Sequence, residues 1–70
     1  MKMADFKDLF FKNIAVTLKS GETVTGLLTG VENDFDTSSG KDEIELAIGE
    51  DDLSLEIDEI ESVEELVSND

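Results

Sequence analysis

From Asp42 to Asp70 the chain carries thirteen carboxylates and no basic residue, yet apolar side chains recur through the same stretch. Few backbones satisfy both demands. An unpaired carboxylate is costly to bury, so the acids must reach water while the apolar groups turn from it. A strand does this with its two-residue period. Ile44, Leu46 and Ile48 alternate with Glu43, Glu45 and Ala47, and Leu53, Leu55 and Ile57 alternate with Ser54 and Glu56. With Gly49 to Asp52 as the turn, these residues predict an acidic-faced hairpin.

The same period governs the first half. Ile14, Val16 and Leu18 alternate with Ala15, Thr17 and Lys19, a half-buried strand. Ser20-Gly21-Glu22 forms a tight turn, and Thr23 to Val31 is a second strand rich in β-branched residues. Gly26 and Gly30 within it predict a sharp bend or a bulge. Residues 32–42 are loop chemistry. Ahead of the strands, Phe6, Leu9 and Phe10 share a helical face, which predicts a short helix over about residues 4–12. Phe11 widens that stripe, and so short a helix must dock on something apolar. Beyond Asp58 the spacing of Ile60, Val63, Leu66 and Val67 fits a helix, but Ser62 to Leu66 also fits a closing strand. The strand is the choice made here.

Seventy residues make one domain, 1–70, with the strands filling about residues 13–67. The expected core is Ile14, Val16, Leu18, Val24, Leu28, Ile44, Leu46, Leu55 and Ile57, capped by Phe6 and Phe10. The chain has no cysteine or histidine, which removes disulfides, zinc-thiolate sites and the commonest general base. No apolar run reaches membrane-spanning length and no signal-type stretch follows Met1-Lys2, so the expectation is a soluble cytoplasmic globule without a membrane partner. The formal net charge is −14, all but −1 of it carried by residues 42–70. A field of that sign repels phosphate backbones and favours basic proteins or cations.

One short helix and five short strands, the second glycine-bent, predict a mainly β, strongly bent small barrel of the SH3-like kind. The order Ile14-Ala-Val-Thr-Leu-Lys-Ser-Gly21, Gly26-Leu-Leu-Thr-Gly30-Val-Glu, then Ile57-Asp-Glu-Ile60-Glu-Ser-Val63 resembles the Sm-like (LSm) family of small β-barrels over about residues 5–66. The resemblance implies a five-stranded barrel whose copies join edge to edge into homo-oligomeric rings, commonly of five to seven, that bind uridine-rich RNA. An independent argument also favours assembly. Open strand edges must be covered, charged or paired, and pairing the fourth strand of one copy with the fifth of the next supplies core that 70 residues lack.

The family's RNA loops fall on Glu32, Phe35 and Asp36, and on Asp58 and Glu59. An acid stands where the family has asparagine, and Asp58-Glu59 where it has arginine-glycine. Both changes remove donors and add negative charge where a phosphate or base edge would sit. Nucleic-acid binding is therefore expected to be absent or weak. Phe35 is a possible stacking residue, although a lone loop phenylalanine is more often a packing anchor.

Asp34, Asp36, Ser38, Asp42 and Glu45 match positions 1, 3, 5, 9 and 12 of a calcium loop. Ser39 occupies the glycine position and Lys41 the apolar one, so a solvated loop is the better expectation and no metal is assigned. No cofactor is implied. Carboxylates without histidine, cysteine or tyrosine partners on so small a barrel predict no enzyme. Two roles survive: a self-assembling binding or scaffold module with an acidic surface, and an acidic nucleic-acid mimic, of the kind small phage proteins provide, that blocks a DNA- or RNA-binding protein. Glu43 and Glu45 on a strand lie ~6.6 Å apart, near a phosphate repeat, but any alternating strand shows that spacing.

Overall fold

The computed structural model describes residues 1–35 and 37–67. It is mainly β: β1 (Asn13–Leu18), β2 (Thr23–Glu32), β3 (Glu43–Ile48), β4 (Asp51–Glu56) and β5 (Ile60–Glu65). All neighbours pair antiparallel in one sheet of order β4-β3-β2-β1-β5. Residues 60–65 thus form the expected closing strand, begun two residues earlier, and not a helix. Among the described residues no helix is long and apolar enough to cross a membrane.

The turns follow from local chemistry. Gly49, at φ +63°, leads the two-residue loop between Ile48 and Asp51, the position where a type II′ hairpin needs glycine. That tight turn draws Asp51 and Asp52 into β4, two residues earlier than expected. Gly21, at φ +96°, lets its N–H reach the Leu18 carbonyl (2.9 Å) while Leu18 N–H donates to the Glu22 carbonyl (2.8 Å).

The ten-residue β2 supplies the bend. Its register against β3 shifts between Leu28 and Gly30, a bulge beside which the Thr29 hydroxyl donates to the Glu45 carbonyl at 3.3 Å. At Gly26 β2 runs close against the end of β3, and a Cβ there would lie 2.9 Å from the Ala47 carbonyl oxygen and 3.0 Å from Ile48 Cγ1. Only glycine fits.

The sheet does not close into the expected barrel. In an all-antiparallel row of five, the first and last strands run the same way, so a β4–β5 ladder would be parallel. Parallel neighbours need a crossover of about a dozen residues, and here only the 3-10 turn Ile57–Glu59 links them. That short link still carries the chain from one end of the row to the other, which requires the sheet to curl until its edges approach. The core lies in the curl: Phe6, Ile14, Val16, Leu28, Ile44, Leu46, Ile57 and Ile60 are buried, with Leu18, Val24, Leu55 and Val63 packed against them.

The N-terminal helix is also shorter than expected. Met3–Phe6 is a single 3-10 turn, continued by further i→i+3 bonds from Leu9 to Phe6 (3.0 Å) and from Lys12 to Leu9 (3.1 Å). The Asp5 carboxylate holds its start, accepting from Lys2 N–H at 2.9 Å. Phe11 ends it, at φ +61°. There Phe11 N–H donates to the Leu28 carbonyl and Leu28 N–H to the Lys12 carbonyl, two residues facing one in a bulge that starts the β1–β2 ladder. Ladder bonds thus displaced the last helical turn. Phe6 caps the core as expected, but Phe10 is exposed and does not.

Candidate functional site

Two loop regions were singled out by sequence, and the fold brings part of them together. The loop after β2 is organised by its own polar groups. Phe35 N–H donates to Asn33 Oδ1 (3.0 Å), Asp34 N–H to Asp42 Oδ1 (2.9 Å), and the Ser39 hydroxyl to Glu43 Oε2 (2.7 Å). Ile57 N–H donates to the Asp42 carbonyl at 3.0 Å, which sets the turn after β4 beside this loop. Lys41 Nζ spans the junction, 3.7 Å from Glu56 and 3.8 Å from Asp58. Asp58 and the 33–42 loop therefore share one end of the sheet.

Glu59 lies elsewhere. Its carbonyl accepts from Lys19 N–H at 2.9 Å, and with Asp58, Leu18, Lys19 and Ser20 it lines an open depression of about 270 Å³. Glu32 sits opposite Glu43 at the end of the β2–β3 ladder, its side chain exposed. Phe35 is 92% exposed, so it is not the packing anchor that its type suggests. Asp36 lies outside the described residues.

The chemistry available here is limited. Among the described residues no three carboxylates are gathered to hold a metal, and the calcium-loop members Asp34 and Asp42 are tied backbone to side chain. Lys41 is the one lysine between these acids. At 56% exposure its ion pairs contribute no more than about 1 kcal/mol each.

The sheet edges carry a feature that sequence reasoning located only in outline. β4 and β5 end the strand row. On β4, Leu53 is 37% exposed, and just beyond β5, Leu66 is 46% exposed. Leu66 N–H still donates to the Asn13 carbonyl (2.8 Å), extending the β1–β5 ladder, and Lys12 Nζ holds Glu65 Oε1 at 3.4 Å. The signal was available: an apolar residue two places from an edge strand's end, amid acids, gains nothing from facing water. Comparison with known proteins finds no matching family model, no matching curated protein and no matching solved structure.

Proposed function

We propose that this chain is a non-catalytic, Sm-like module that assembles with copies of itself edge to edge and presents an acidic surface to a basic partner. One observation carries the reading: among the described residues both end strands of the sheet have a strand neighbour on one side only, and an exposed leucine lies on β4 (Leu53) and just past β5 (Leu66) in an otherwise acidic setting. Free edges of this kind are what natural proteins cover, charge or pair. In the assembly each β4 takes the β5 of another copy, and a ring of five to seven copies follows from the family resemblance.

RNA binding is not part of the proposal. Glu32, Asp34 and Asp58 stand at the loops that would meet nucleic acid, and five lysines stand against nineteen acids. Phosphate contacts give way to repulsion.

Light scattering on the unmodified chain at low and moderate salt tests the assembly. A multiple of the 7.7 kDa chain mass is expected, tightening as salt is added, because repulsion between copies is screened with a Debye length of ~8 Å at physiological ionic strength. A single-chain mass at both salts refutes it. Fluorescence anisotropy with uridine-rich and adenine-rich oligomers should show no saturable micromolar binding. Binding abolished by Phe35→Ala would restore the family's RNA role.

A further inference from the structure

The free edges hold enough information to set which residues meet. Ile57 N–H donates to the Asp42 carbonyl in the β3–β4 register, so the odd-numbered residues of β4 direct their backbone groups at β3. Backbone groups alternate sides along a strand, and Asp52, Ser54 and Glu56 therefore point theirs outward. Likewise Leu66 N–H donates to the Asn13 carbonyl in the β1–β5 register. Val63 and Glu65 are then the residues of β5 whose backbone groups point away from β1. An antiparallel join through these free groups sets even-numbered β4 residues against odd-numbered β5 residues.

Three such registers keep five or more facing pairs between residues 51–56 and 60–67. With Ser54 against Glu61, Asp51 faces Glu64. With Ser54 against Val63, Asp52 faces Glu65 and Glu56 faces Glu61. With Ser54 against Glu65, the pairs are Asp52–Val67, Leu53–Leu66, Leu55–Glu64 and Glu56–Val63, and no two acids face each other. Like charges directly opposed across strands are destabilising. Within one copy the sheet already carries two such facings, Glu32–Glu43 and Glu43–Glu56; the third register is preferred because it adds none to a chain of net charge −14 and brings two exposed leucines together.

We propose that β4 of one copy docks antiparallel on β5 of the next with Leu53 against Leu66. The two exposed edge leucines cover each other. The carboxylates nearest Glu65 are Asp52 and Glu56, one on each diagonal, and Lys12 already holds Glu65 from within its own copy. This inference names the contacts of the assembly proposed above and rests on it.

The chain has no cysteine, so disulfide trapping reads the register directly. Leu53 and Leu66 form a pair without mutual backbone bonds, the closer kind, with Cβ atoms ~4.5–5.5 Å apart, near enough for a disulfide after a small shift. The variant Leu53→Cys/Leu66→Cys, oxidised, should run as covalent multimers on a non-reducing gel. Equal mixing of the two single variants should give one covalent dimer that neither gives alone at the same concentration. If Leu53→Cys/Glu64→Cys or Leu53→Cys/Ser62→Cys is trapped instead, the register is wrong and the assembly stands. A single-chain mass for the unmodified protein removes both.

Discussion

β3 and β4 are the two arms of one hairpin, with the same apolar alternation, and they fare differently. β3 buries Ile44 and Leu46 almost completely, while β4 buries no residue fully. The difference is position. β3 has neighbours on both sides and lies under the curl; β4 has a neighbour on one side. Alternation thus states which face a residue takes, and topology states how much of that face is covered.

The widest expected separation between the two arms comes from truncating one leucine in each. Leu46→Ala should cost about 2–5 kcal/mol, a large share of the stability of so small a domain. Leu53→Ala, measured on dissociated protein, should cost less than about 1 kcal/mol because the side chain is already partly in water. Thermal or urea unfolding of the two variants gives the comparison, and equal losses would mean that β4 is covered in the single copy.

Gly26→Ala probes the curl that creates the difference. A methyl group placed 2.9 Å from the Ala47 carbonyl oxygen must push β2 away from the end of β3, at an expected ~1–3 kcal/mol. Gly30→Ala is the internal control, since its Cβ would sit 3.8 Å from Glu45 Cβ, an ordinary contact. Similar unfolding midpoints for the two variants would locate the bend elsewhere. The smallest effect belongs to Lys12→Ala. Its exposed pair with Glu65 should contribute under about 1 kcal/mol to folding, whereas assembly, monitored by light scattering, should weaken more visibly. No change in assembly would detach Lys12 from the edge.

Much of this architecture is legible in the residues. The two-residue periods of 14–18, 23–31, 43–48 and 53–57 mark four strands, and the glycines of β2 mark a bend and a bulge. What escaped depends on contacts distant in sequence. Residues 4–12 carry a helical stripe, but Phe11 and Lys12 are claimed by Leu28 on another strand, so the stripe yields one 3-10 turn and leaves Phe10 exposed. Ile60 was missing from the expected core because its burial follows from the chain passing from β4 to β5, not from its neighbours in sequence. Closure was overestimated for a topological reason, the common direction of the two end strands. At the candidate site, Asp58 meets the 33–42 loop through Lys41, whereas Glu59 turns toward Lys19; adjacent residues serve different neighbourhoods, which no motif spacing reveals.

Phe6 is the only fully buried residue in the first twelve, with Met3 and Leu9 packed partly beside it. One ring therefore anchors the whole leading segment, against the entropy of ordering every residue of it. Such a segment is a stopper rather than a wall. A segment held by so few buried contacts adds little to the burial that the five strands provide. The interior is thus closed at this end by a single ring, and the bulge at Phe11 and Lys12, bonded to Leu28, is where the leading segment joins the sheet.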